Sequence, residues 1–213
     1  MWNKERLIAA AVLLAATTFM MFPLIMNWSG RDIRMVQDLG FTSGALAPLP
    51  AWIAAALFAI AYIAYTFRAL PFVRVHQHEV SLFKLIGIFA AFASGIMEEV
   101  VSRRWLMDSA LVYGIGSVGQ IVISGIVFGA FHLVWHAFSA DRRFALYGAA
   151  STVVAGAALA IIYLIGGRNL GPCIAAHMLI NLVVEPWLVL AAISGCSAEA
   201  DTQPPSDAQA GAG

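Results

Sequence analysis

A chain of 213 residues that is 61% apolar and only 11% charged lies well below the roughly 25% charge of an ordinary soluble domain. Formal net charge is zero, from 12 basic and 12 acidic side chains, so no basic footprint for nucleic acid is present. Two cysteines, Cys173 and Cys196, are too few for a disulfide scaffold.

The apolar runs are long and continuous rather than alternating, and mean hydropathy is +0.83. They argue against a transmembrane β-barrel and predict an all-α fold: a polytopic membrane bundle of about six transmembrane helices, with room for short interfacial helices. The first predicted span, about 7–26, follows Met1-Trp2-Asn3-Lys4-Glu5-Arg6. Its length suits a retained helix; a cleaved signal peptide would have a shorter apolar core and a small-residue cleavage site. The link from Asn27 to Ala47 carries Arg31, Asp32, Arg34 and Asp38 and is expected at the interface as a short amphipathic helix. The second span is about 48–67. The link from Arg68 to Lys84 follows, with His76 and His78 expected in water.

The third span begins near Leu85 and runs through Glu98 and Glu99 to about Met107; the fourth is about 116–138, the fifth 145–165 and the sixth 171–194. Gly114, Gly116 and Gly119 invite a break or an extra short helix before the fourth. Gly166, Gly167, Gly171 and Pro172 do the same before the sixth. The tail, 195–213, is rich in Ala, Ser, Pro and Gly and lacks the apolar surface to order itself. With the N-terminus inside, seven basic residues fall inside and five outside, including Arg103, which belongs to the motif below. The positive-inside rule then puts both termini inside.

Polar groups recur where the surroundings are greasiest: Glu98, Glu99 and Arg103 after the run from Leu85 to Met97, then His132, then His177 with Asn181. A charged group at mid-bilayer costs about 2.5–3.5 kcal/mol on insertion scales, so such residues point to chemistry. Glu99 and Arg103 are four apart and share a helix face, so they are expected to pair. Glu98 lies about 100° around the helix and is left free to act as a base. Phe128 and His132 are one turn apart. Gly125 and Gly129 form a small-xxx-small pair, expected to bring His132 close to the Glu98 helix. His177 and Asn181, also four apart, can donate to one point. A base, a histidine partner and two donors are the groups needed to add water to a carbonyl. Ser102 has Glu98, not a histidine, as its helical neighbour and is a poor candidate nucleophile.

Glu98-Glu99-x-x-x-Arg103, Phe128-x-x-x-His132 and His177-x-x-x-Asn181, in this order on membrane segments, resemble the CPBP family of CAAX-protease and bacteriocin-processing (Abi) proteins. The resemblance covers about residues 85–190. It implies a glutamate-dependent intramembrane endopeptidase without a metal or other cofactor. Glu98 and His132 would activate water, and His177 and Asn181 would form the oxyanion hole. Glu99, Arg103 and Phe128 would support the site. The implied partner is a membrane-embedded or lipid-anchored peptide within the lipid bilayer, with the protein placed in the cell membrane. The chain divides accordingly into two N-terminal helices with polar links over 1–84, a catalytic core over 85–194 and the tail.

Other readings share these residues. His132 and His136 are four apart, as in a two-histidine zinc site that Glu98 or Glu99 would complete. A transporter or proton relay would also keep ionisable groups in its helices, although no inverted repeat is visible. Glu185, before Pro186, is a third carboxylate in apolar context, expected at the interface or at a proline bend; Trp187 is expected to pack or to anchor at the interface.

Overall fold

The computed structural model describes residues 3–28, 47–139 and 142–195, with the backbone alone for 23–28, 135 and 136. The expected amphipathic link and the tail, with Cys196, lie outside the described residues. The described residues form helices and no strand. They are α1 (Lys4–Trp28), α2 (Leu49–Ala69), α3 (Pro71–His76), α4 (Leu82–Glu99), a π-helical segment (Val100–Trp105) and α5 (Leu106–Val112). After them come α6 (Ser117–His132), a 3-10 stretch (Leu133–Ala137), α7 (Arg142–Ile165) and α8 (Gly171–Ser194).

Among the described residues, five segments are long and apolar enough to cross a bilayer: Lys4–Phe22, Leu49–Ala69, Leu82–Val112, Arg142–Ile165 and Gly171–Ser194. The protein is an integral membrane helical bundle. The segment expected to span at 116–138 is different, because the regular helix α6 has only 16 residues. At 1.5 Å per residue it covers about 24 Å, short of a hydrocarbon core of about 30 Å. The Leu82–Val112 segment is the opposite case, 31 residues running through the π-helical turns, with Glu98 and Glu99 about halfway along.

Helix α4 packs between α1 and α8, while α6 and α7 form an antiparallel hairpin beside it. The contact between α4 and α8 is built around Pro186. Proline has no N–H, so the Leu182 carbonyl one turn earlier loses its helical partner. The Lys84 ammonium group donates to that carbonyl. At Gly87 a methyl group would lie 2.6 Å from Pro186 Cβ, so the glycine lets α4 cross at the bend. Trp187 is fully buried beside it, with Phe83 at 5.5 Å, His76 at 5.6 Å and the Arg6 guanidinium at 5.9 Å. It is a core residue. His76 is half-buried and donates from Nδ1 to Phe72 O at 2.8 Å, so it is not the water-facing residue expected, whereas His78 is exposed. Arg6 also grips Glu79 in the α3–α4 loop with two hydrogen bonds of 2.7 and 2.8 Å, which hold that carboxyl below the usual carboxylate range.

At the opposite end, Asp108 receives Arg104 at 3.2 Å, Arg168 at 2.5 Å and Tyr163 Oη at 3.1 Å. Arg168 occupies the left-handed region (φ 67°) just after Gly167 (φ 63°), and its second bond to Gln120, 2.6 Å, keeps it there. These contacts tie α5, α6 and α7 to the turn that feeds α8.

Gly125 and Gly129 serve a different neighbour from the one expected. A methyl on Gly129 would lie 2.9 Å from Ala149 O, and one on Gly125 2.9 Å from Val153 O, so both glycines seat α6 against α7 rather than against the Glu98 helix. The reason is angular: Gly129 is about 100° around the helix from Phe128, whose face carries His132. Gly129→Leu is expected to separate the hairpin at a cost of about 1–3 kcal/mol. A thermal midpoint in detergent equal to that of the parent protein would contradict this packing account.

Candidate active site

The site grows from the middle of the Leu82–Val112 segment. Where α4 meets the π-helical turn, the Val100 N–H is shared between the Ile96 and Met97 carbonyls. The wider turn brings Val100, Ser102 and Arg103 inward, all buried, next to fully buried Glu99. Such π turns frequently accompany functional sites. The Ser102 carbonyl accepts the Ser124 hydroxyl of α6 at 3.2 Å, which fixes this turn against the hairpin. Ser102 itself is buried.

Glu99 forms the expected pair with Arg103, Oε2 to Nε 3.0 Å, both side chains with no exposure. The same carboxylate has a second partner not foreseen from spacing: Oε1 accepts His177 Nδ1–H from α8 at 2.8 Å. Arg103 continues across the bundle, donating from Nη2 to Gly156 O of α7 at 3.1 Å. Its guanidinium carbon lies 4.9 Å from the centre of the Phe128 ring. Phe128 also contacts both imidazoles, His132 at 4.9 Å and His177 edge-on at 5.6 Å. One aromatic ring thereby sets the relative position of a cation and two histidines from three elements. Gly156 makes this possible, since a methyl there would lie 2.7 Å from Phe128 Cβ.

Glu98, about 100° around the helix from Glu99, approaches both imidazoles. Its Oε2 is 3.9 Å from His132 Nε2 and 3.8 Å from His177 Nε2. This oxygen is buried and has no hydrogen-bond partner among the described residues. Both separations are too long for direct hydrogen bonds. The far nitrogen of each ring is committed: His132 Nδ1–H to Phe128 O at 2.8 Å, His177 Nδ1–H to Glu99 Oε1. Such an outer partner fixes which nitrogen carries the proton and which faces the site. In both rings Nε2 is the atom turned to Glu98.

Asn181, one turn after His177, donates from Nδ2 to Ser94 Oγ at 3.0 Å. Ser94 lies one turn before Glu98 on α4, so α4 presents Ser94 and Glu98 to a stripe of His177, Asn181 and Glu185 on α8. Glu185 sits at the proline bend, directly before Pro186 in α8. It is half-buried, with Oε2 3.4 Å from Ser94 Oγ. Neither Ser94 nor a contact between Ser94 and Glu185 is among the sequence-based expectations. The usable signal was the four-residue spacing of each from Glu98 and Asn181. Cys173 is buried and donates its Sγ–H to Leu159 O at 3.3 Å, so it is a packing residue of α8. Among the described residues no group of three or more His, Cys, Asp or Glu has a metal-holding arrangement; the His136 side chain lies outside them.

Residues 80–183, which contain all of these groups except Glu185, match the family described as type II CAAX prenyl endopeptidase Rce1-like. No curated protein and no solved structure matches the chain.

Proposed function

We propose that the chain, whose residues 80–183 match the Rce1-like family, is a membrane hydrolase of that type in which Glu98, set between two imidazoles, removes the proton from a water that attacks a peptide carbonyl. The carrying observation is that both Nε2 atoms face Glu98 Oε2, at 3.9 and 3.8 Å, while both Nδ1 atoms are bound elsewhere. Polar atoms more than about 3.5 Å apart are where a bridging water belongs, and this is the place the attacking water would take.

The two histidines differ in what holds them, and this divides their roles. His132 donates to an uncharged backbone carbonyl, which suits a neutral ring whose Nε2 accepts a hydrogen bond from the water. His177 donates to the Glu99 carboxylate, a buried negative charge that balances an imidazolium able to donate from Nε2. His132 and Glu98 therefore orient and deprotonate the water, and His177 with Asn181 receives the developing oxyanion. The water oxygen bonds to the carbonyl carbon and its proton passes to Glu98. On collapse the C–N bond breaks, Glu98 returns that proton to the leaving amine, and an acid and an amine result. Each oxyanion donor is worth about 2.7–4 kcal/mol in comparable sites. Arg103 and Phe128 hold the parts in register. The substrate class that fits is a membrane-embedded or lipid-anchored peptide of the cell membrane, reaching Glu98 and His132 through the side on which both keep about a fifth of their side-chain surface exposed.

Peptidomics of membranes from cells carrying the natural chain or Glu98→Ala tests this. Uncut precursors should accumulate in the variant, and their termini would show whether a prenyl group is present. Identical peptide profiles, with both proteins inserted at equal levels, would sink the hydrolase assignment of Glu98.

A further inference from the structure

The proposed oxyanion role of Asn181 needs its amide turned one way, with nitrogen rather than oxygen toward the reacting carbonyl. The amide group alone does not choose, since the two orientations have nearly the same shape. The structure offers a reason for the choice in two residues outside the three motifs. Ser94 is buried on α4, with 3% of its surface exposed. Its hydroxyl has one proton, and two acceptors surround it: Ala90 O at 2.9 Å and Glu185 Oε2 at 3.4 Å. A third acceptor cannot be served by that proton. If Asn181 Oδ1 faced Ser94, two oxygen lone pairs would oppose each other in a buried place, leaving a polar group unsatisfied. With Nδ2 facing Ser94, as found at 3.0 Å, the hydroxyl oxygen accepts instead. The second N–H of the same amide then has no partner among the described residues, and it is the one left for the substrate.

We propose that Ser94 and Glu185 are positioning residues, forming an acceptor-rich chain that locks the Asn181 amide so that its remaining N–H meets the oxyanion. This rests on the reading of Asn181 as an oxyanion donor. It assigns α8 a functional stripe one turn longer than His177 and Asn181, and gives the third carboxylate in the membrane region a task distinct from proton transfer.

The test is a double-mutant cycle on the full-length protein in detergent or liposomes, with kcat and KM measured on a precursor recovered from the Glu98→Ala membranes. Asn181→Ala should lower kcat about 10²–10³-fold, the range for one oxyanion donor. Ser94→Ala should lower it about 10–100-fold with KM little changed, as expected when an orienting partner is lost. The double variant should be no worse than Asn181→Ala alone, because Ser94 acts through that amide. Glu185→Gln, which keeps size but adds a donor able to face Ser94, should follow the same non-additive pattern and serves if Ser94→Ala does not fold. Additive losses, or parental kcat in both Ser94→Ala and Glu185→Gln beside an impaired Asn181→Ala, overturn the positioning chain and leave the oxyanion reading standing. A fully active Asn181→Ala removes the oxyanion reading itself, and the chain with it.

Discussion

Glu98→Gln is expected to lower kcat for peptide cleavage by about 10²–10⁴-fold, the contribution typical of a placed general base, while the thermal midpoint stays near that of the parent protein. The two halves of this expectation come from the same geometry. Glu98 Oε2 is 3.8–3.9 Å from two imidazole nitrogens and has no hydrogen-bond partner among the described residues, so replacing the carboxylate by an amide of the same shape breaks no direct hydrogen bond of that oxygen. What is lost is the ability to take a proton. The amide cannot accept one at neutral pH, and its N–H₂ would donate to His132 Nε2 in place of the water. Steady-state kinetics beside a melting curve checks both parts. A variant that melts early and cleaves at the parental rate per folded molecule would make Glu98 a structural residue and end its role as base.

Arg103→Ala should do the reverse, lowering stability by about 3–5 kcal/mol, the cost of leaving a buried partner uncompensated. Arg103 and Glu99 have no exposed surface, and their charges lie 3.0 Å apart. Removing the guanidinium strips Glu99 of that counter-charge and leaves the Gly156 carbonyl and the Phe128 ring without the contacts at 3.1 and 4.9 Å. Arg103→Lys should not restore the parent, because a single ammonium group cannot serve Glu99, Gly156 and the ring together. The measurement is the detergent melting midpoint and the yield of inserted protein. A midpoint within the scatter of the parent for Arg103→Ala would mean that this ion pair does not hold the site together. Set side by side, the two variants separate the adjacent glutamates into one that reacts and one that supports.

That separation was half legible in the linear chain. The four-residue spacing of Glu99 and Arg103 predicted their pairing, because residues four apart share a helix face in any α-helix. The same rule left Glu98 unpaired. The second partner of Glu99 was not legible, because the distance from His177 to Glu99 is fixed by how α8 crosses α4. That crossing depends on the Pro186 bend, on Gly87 beneath it and on the Lys84 cap over the Leu182 carbonyl. Gly125 and Gly129 carried a signal for close helix contact, but composition cannot tell which helix makes it. The short α6 was hidden for a related reason: hydropathy runs on through Leu133 and Val134, whereas the backbone leaves α-helical geometry after His132.

The sequence by itself determined that the chain is a helical membrane protein, which residues stand out as chemically expensive there, and which of them share a helix face. Those properties follow from transfer free energies and from the fixed 3.6-residue turn, and both act locally along the chain. The tertiary structure alone decided that Glu98 lies between two Nε2 atoms, that one histidine rests on a carbonyl and the other on a carboxylate, and that Ser94 meets both Asn181 and Glu185. Each of those facts depends on distances between helices, set by proline bends, glycine contacts and a buried ring at long sequence separation, and no local rule contains them.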